Sequence, residues 1–356
     1  MKLGLVGLPA SGKTTIFHAL TEGKSESRPT DPHAPHLASV KIPDPRVDFL
    51  ADMYKPKKIS YASIDYVDIK GIMAEAGHEE NARLLAALRE CDGLVHVVRL
   101  FENPAMPHPR VSIDPARDIS EVTTELAFAD LAIAEARIEK LKKAVTHPIP
   151  GAADMKQELA VLLRVKEALE AGKRILSLGL QPEEEKLIRS YRFLTEKRMI
   201  LLLNVGDKDV KKDFSGLLAS VDAEEKIVMC GGMEMEIAAL DPADRPAFLA
   251  DLGIERPAGD LLKTASYHML HQRVFLTCGE PEVHAWTITE GDSAVTAAGK
   301  IHSDIERGFI RAEVVAFDDL KAAGSMKDAK ALGKVRLEGK EYIVKDGDVI
   351  LFRFSV

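Results

Sequence analysis

The chain opens on an apolar run, Leu3–Gly4–Leu5–Val6, which breaks into a glycine-bounded turn and resumes with helical spacing at Ile16, Phe17, Ala19 and Leu20. Strand, loop and helix are the prediction. Further apolar runs stand at Ile64–Ile69, Gly93–Leu100, Met199–Asn204 and Ile227–Cys230, most of them continuous, as suits strands covered on both faces of a parallel sheet. Glu79–Leu88 is helical in composition. From Glu22 to Pro45 the chain is polar and rich in proline, which predicts a mobile loop. The stretch from Leu100 to Met199 is far longer than the ~30 residues of one strand–helix–strand step, so something is inserted. Within it Ile119, Val122, Leu126, Ala129 and Ile133 keep a 3,4 spacing behind Asp118 as N-cap and Glu121, and Ile138, Leu141 and Val145 continue the stripe after a phase shift. A second helix runs from Met155 to a stop at Gly172, and Pro182 with three glutamates opens a third. An antiparallel helical arm is expected. From Ala265 short alternating segments at Arg273–Thr277, Val283–Thr289, Arg311–Phe317 and Val349–Phe354 surround one helix, Ala294–Glu306, and describe a β-grasp-like module.

Charge and composition narrow the class. With 356 residues there is room for two or three domains, and a net charge of −8 argues against a generally basic nucleic-acid binder, so no sequence-specific DNA binding is expected. Cys91, Cys230 and Cys278 form no C-x-x-C pair and read as reduced, structural thiols. No apolar run approaches ~18 residues and no signal-peptide core precedes the first strand, so a cytoplasmic protein without membrane contact is expected.

The first turn carries the chemistry. Gly7, Gly12, Lys13 and Thr14 fill G-x-x-x-x-G-K-[ST] between a strand and a helix, the context in which that pattern cradles phosphates. Backbone N–H groups of Gly7, Ala10, Ser11, Gly12 and Thr15 would surround an anion, with Lys13 on the β/γ-phosphates and Thr14 on Mg²⁺. Asp68, at the end of a strand and three residues before Gly71, matches the D-x-x-G of nucleotide switches, in which the aspartate holds Mg²⁺ through water and the glycine N–H senses the γ-phosphate. Asn204–Val205–Gly206–Asp207 falls where a Ras-type domain reads its base with Asn-Lys-x-Asp, but Val205 replaces the lysine, and Cys230–Gly231 would bring backbone amides near the base. Guanine stays open at this point because Asp207 keeps a carboxylate. His284, His302, Asp304 and Glu306 match no metal-site spacing and read as solvated surface.

Nearly the whole chain resembles the YchF family, the Obg-like ATPases. Ala285–Ile288, Ala298–His302, Glu306–Glu313 and Leu337–Val349 are similar to that family's TGS segment, and Arg99–Asn103, Thr124–Ala127 and Asp251–Gly253 agree as well. The resemblance implies an α/β protein: a Ras-like P-loop NTPase domain (1–115 with 196–264), an inserted helical arm (116–195) and a C-terminal TGS domain of β-grasp type (265–356). It also implies ATP in preference to GTP, binding of ATP/ADP with Mg²⁺ and K⁺ as a second candidate cation, slow hydrolysis, and the ribosome as partner, with roles in translation and stress response.

Three positions depart from, or depend on, that family pattern. Asp207 stands for the family's glutamate, so GTP/GDP is kept as an alternative. Ile72 occupies the place of the water-positioning glutamine of Ras-type enzymes, and the resemblance assigns that task to His108, a loop residue between Pro107 and Pro109 that could equally only pack. The family's switch threonine, a Mg²⁺ ligand, has Thr30 as its only substitute, and the acidic Ala74–Asn81 stretch replaces a flexible glycine- and lysine-rich turn. Lys55, Lys57, Lys58, Arg137, Lys140, Lys142, Lys143, Arg307 and Arg311 are candidates for rRNA phosphate contacts. A nucleotide-binding scaffold that no longer hydrolyses is the alternative class.

Overall fold

The computed structural model describes residues 1–22, 34–73, 78–145 and 152–355. Among the described residues seven strands and ten α-helices precede the C-terminal strands: β1 (Lys2–Val6), α1 (Lys13–Leu20), β2 (His36–Lys41), α2 (Pro45–Tyr54), β3 (Lys58–Ser60), β4 (Ser63–Asp68), α3 (His78–Arg89), β5 (Gly93–Leu100), α4 (Pro115–Ala144), α5 (Ala152–Glu170), α6 (Pro182–Ile188), β6 (Arg198–Val205), α7 (Ser215–Ala219), β7 (Glu225–Met229), α8 (Gly231–Ala239), α9 (Arg245–Leu252) and α10 (Ala258–Met269). They are followed by β8 (Gln272–Cys278), β9 (Glu282–Thr289), α11 (Ala294–Ile301), α12 (Ser303–Arg307), β10 (Phe309–Ala316), β11 (Arg336–Glu338) and β12 (Asp348–Phe354). Chain packing divides these into two units, Met1–Ser39 with Asp65–Leu262 and Val40–Ile64 with Lys263–Val356.

The first unit is built on the sheet β2-β4-β1-β5-β6-β7, whose β4, β1, β5, β6 and β7 run parallel. Parallel order puts all the strand C-termini at one edge, where loops meet ligands. β5 and β6 are buried along almost their whole length, as their mostly apolar sequence requires. The long insertion is the pair α4–α5. α4 is one continuous helix whose N-cap is Asp114, with Pro115 at its first position, so the expected start at Asp118 and the phase shift are both corrected. Ala134, Ile138, Leu141, Val161, Leu162 and Val165 form the seam between the two helices. Asp130, in mid-α4, is fully buried and ties the arm to the sheet: it accepts from the N–H groups of Leu194 and Thr195, the Thr195 hydroxyl and Arg89.

The second unit is the sheet β11-β10-β12-β8-β9-β3, with α11 packed on a core of Phe275, Ile288, Phe309 and Phe352. The expected single helix 294–306 is broken at His302, whose extended backbone separates α11 from α12. The segment 40–64, placed by the sequence reading in the nucleotide domain, packs with this unit. β3 adds in parallel to the edge strand β9, and Arg46 pairs with Asp346 at 2.7 Å. Part of the expected loop 22–45 is strand β2, and residues 23–33 lie outside the described residues. No described helix is long and apolar enough to cross a membrane.

Candidate nucleotide site

At the C-terminal edge of the parallel sheet, the turn between β1 and α1 wraps around a cavity of about 490 Å³ lined by Pro9, Ala10, Gly12, Lys13, Thr14, Thr15, Ile69, Lys70, Gly71, Met73 and Met106. Two glycines are dictated by closeness. Gly12 sits at φ +93° as the N-cap of α1, and a Cβ there would overlap the Asn204 amide. A Cβ on Gly71 would overlap the Pro9 backbone, so the D-x-x-G turn lies directly on the phosphate loop, where the Ile72 N–H also donates to the Gly7 carbonyl at 3.1 Å.

Lys13 is 5% exposed, and its ammonium donates to the carbonyls of Leu8 at 2.8 Å and Gly7 at 3.2 Å. Burial pushes its pKa down to about 8, against the pull of Asp68. An incoming phosphate interacts with the ammonium form, which is about nine-tenths populated at pH 7 and is lost as pH rises through 8. ADP affinity is therefore expected to fall about tenfold between pH 7 and pH 9, and titration calorimetry across that range checks it; a flat profile would mean that Lys13 does not meet the phosphates.

Asp68 shows what else the site is built for. Its Oδ2 accepts the Thr14 hydroxyl at 2.7 Å, while Oδ1 is buried with no hydrogen-bond partner. Burial raises the Asp68 pKa, opposed by the Thr14 hydrogen bond and by Lys13. A buried carboxylate oxygen without a donor, beside a hydroxyl at the mouth of a phosphate loop, fits a hard divalent cation such as Mg²⁺. Among the described residues no group of three His, Cys, Asp or Glu side chains converges as a metal cluster. Thr30, the expected second ligand, lies outside the described residues.

The base-side residues are brought together by Asn204. Its Nδ2 donates to the Ser11 carbonyl at 2.9 Å and its Oδ1 accepts the Gly231 N–H at 3.0 Å, stitching the phosphate loop to the start of α8. Asp207 Oδ1 accepts the Cys230 thiol at 2.8 Å, and Cys230 also caps α8. Burial, reinforced by that carboxylate, pushes the Cys230 thiol up to about 11, so it keeps its proton. Val205 is corrected: it is 1% exposed in a core cluster with Val98, Leu201 and Leu203, and its side chain cannot cover a base.

Ile72 is fully buried in the core and orients nothing. His108 does not line the phosphate cavity. It sits with Asp118 behind the loop, beside Leu8, Pro9, Ser11 and His96. Sequence reading missed Arg99, which donates to the carbonyls of Ala10 at 3.2 Å and Met106 at 2.9 Å and so joins the phosphate loop to the His108 loop. An arginine next to the end of a mostly apolar strand was the available signal. It also missed His96, buried and held neutral, its pKa lowered to about 3 by burial and by Lys13.

A phosphate loop with its lysine, a threonine–aspartate pair at the cation position and a glycine turn resting on the loop define a P-loop NTPase. Family models agree: residues 2–143 match "50S ribosome-binding GTPase", and residues 273–355 match the YchF-GTPase C-terminal family, described as "Protein of unknown function (DUF933)". The chain is 41% identical to the "Ribosome-binding ATPase YchF" of Haemophilus influenzae, over 100% of this chain and 99% of that protein. It is 40% identical to the Bacillus subtilis protein of that name, over 99% of each, and 34% identical to "Obg-like ATPase 1" of rice, over 100% of this chain and 92% of that one. The solved Schizosaccharomyces pombe YchF GTPase superposes with a TM-score of 0.86 at 28% identity, covering 99% of this chain and 97% of that one. The chain belongs to the YchF family of Obg-like ATPases, and its enzyme class is that of P-loop NTPases.

Proposed function

We propose that the chain is a molecular switch that binds ATP with Mg²⁺, hydrolyses it slowly and docks on the ribosome in one nucleotide state, as a regulator of translation or stress response. The observation that carries the reading is the Thr14–Asp68 pair with its unpartnered Oδ1, seated where Gly71 presses on the phosphate loop. Bound Mg²⁺ would offset charge on the β- and γ-phosphates. Lys13 binds those phosphates, and the Gly71 N–H reports whether the γ-phosphate is there. In hydrolysis a water oxygen attacks the γ-phosphorus, the bond to ADP breaks, and the water proton leaves with phosphate or a base. His108 is the residue we assign to orient that water, and K⁺ is kept as a helper cation, tested by assays with and without it.

Adenine is favoured by the base side. Guanine presents two donors to a carboxylate, and Asp207 Oδ1 already accepts the Cys230 thiol, while no lysine covers the ring. ADP is expected to bind about five- to tenfold more tightly than GDP, a difference of ~1 to 1.4 kcal/mol, in competition titrations; equal or reversed affinities would overturn the adenine assignment. The ribosomal partner rests on the names of the relatives and on basic residues of the arm (116–195) and of the C-terminal TGS part (265–356). Arg137, Lys142 and Arg307 already pair with Glu158, Glu139 and Asp304, which lowers their value as phosphate contacts. The second reading, a scaffold without hydrolysis, is favoured by the position of His108 behind the loop.

A further inference from the structure

The loop that carries His108 is gripped by the first turns of α4. His108 Nδ1 accepts the Arg110 N–H at 3.0 Å, so the ring proton sits on Nε2 and is donated to Asp118 Oδ2 at 2.9 Å. Neither nitrogen is left for water or phosphate. Asp118 is itself held, because the Arg117 guanidinium donates twice to Oδ1, at 2.9 and 2.7 Å. Arg110 Nε donates to Glu121 at 2.9 Å, and Arg117 also reaches back to Ser112. The His108 and Asp118 side chains are each 4% exposed, and the space between them and the underside of the phosphate loop admits no water. Yet Met106, two residues before His108, lines the phosphate cavity. The imidazole reaches that cavity only if this loop moves.

We propose that Asp118 is a positioning residue that withholds His108, and that turnover requires the first turn of the arm helix α4 to let it go. The inference rests on the assignment of His108 as the water-orienting residue. Because Asp118 belongs to the arm, any partner that displaces the base of α4 would shift His108 from its held to its free position, and the arm would then control hydrolysis as well as docking.

Steady-state ATP hydrolysis by the full chain tests this with Asp118→Ala, Arg117→Ala, His108→Ala and the His108→Ala/Asp118→Ala double variant. Asp118→Ala is expected to raise kcat about five- to tenfold with KM within about twofold, as a shift in the population of the free position demands. Arg117→Ala, on a side chain one-third exposed, should give a smaller rise in the same direction. The double variant should fall to the level of His108→Ala. A kcat at or below the parent's in both Asp118→Ala and Arg117→Ala, in protein that binds ADP as the parent does, would overturn the latch while leaving His108 its role. Parent-like kcat in His108→Ala would instead remove the role and the latch together. Should Asp118→Ala fail to fold, the Arg117→Ala result decides.

Discussion

Lys13→Ala is expected to weaken ATP and ADP binding by about 100-fold while leaving the fold at least as stable as the parent. In the folded chain this ammonium is nine-tenths buried and bonded to two loop carbonyls, and burial has already drawn its pKa down to about 8. Phosphate offers it a full anion in place of carbonyl dipoles, and a charge-assisted hydrogen bond of this kind contributes ~1.5 to 3 kcal/mol. The upper end of that range corresponds to ~100-fold in affinity. Removing the side chain also removes a desolvated charge, so the two effects have opposite signs. Calorimetry on ADP together with thermal melting separates them: lost affinity at an unchanged or raised melting temperature is the expected pair. Lost affinity with a large drop in melting temperature would mean that the lysine is a structural strut.

Asp130→Ala is expected to cost about 3 to 5 kcal/mol of stability. The carboxylate is fully buried and serves four donors on two separate segments: Arg89 at 2.7 Å, the N–H groups of Leu194 and Thr195 at 3.0 and 2.8 Å, and the Thr195 hydroxyl at 2.9 Å. Truncation strands a hydroxyl and two backbone donors in the interior and takes the carboxylate partner from Arg89, which keeps the carbonyls of Ala129 and Arg192. Asp130→Asn keeps an acceptor oxygen and should lose less. Urea unfolding measures both, and a loss below about 1 kcal/mol for the alanine variant would show that water replaces the carboxylate there. The same residue fixes α4 to the end of α3 and to the segment that leads into β6, so a loosened Asp130 should also loosen the arm.

The phosphate site was legible because its chemistry is local. Glycines, a lysine and a threonine within eight positions, bracketed by an apolar strand and a helix, leave few other conformations. The strands of the parallel sheet were legible for a similar reason, since runs such as Met199–Asn204 are apolar without alternation. That run also warned that Val205 continues a buried strand, a warning that matching its position to a lysine motif obscured. What failed depended on contacts distant in sequence. Asp118 and Glu121 imitate a capping box, but Asp114–Pro115 is the stronger start signal, and only the fold shows that Asp118 is free to face a histidine ten residues earlier. The segment 40–64 gives no sign that Lys58–Ser60 will extend the edge of Glu282–Thr289, because register between distant strands is written in neither alone. His108 shows the same limit from the side of function: resemblance assigned it a task, and the geometry placed it behind the loop with both nitrogens bonded.

Hydrolysis itself is decided by one comparison. Single-turnover release of phosphate from ATP with Mg²⁺, at protein in excess and at concentrations that saturate the parent and Lys13→Ala alike, should run at least about tenfold faster in the parent, the least that an interaction of ~1.4 kcal/mol with the transferring phosphoryl group would give. A parent rate no greater than that of Lys13→Ala would contradict an ATP-hydrolysing switch and leave a protein that only holds its nucleotide.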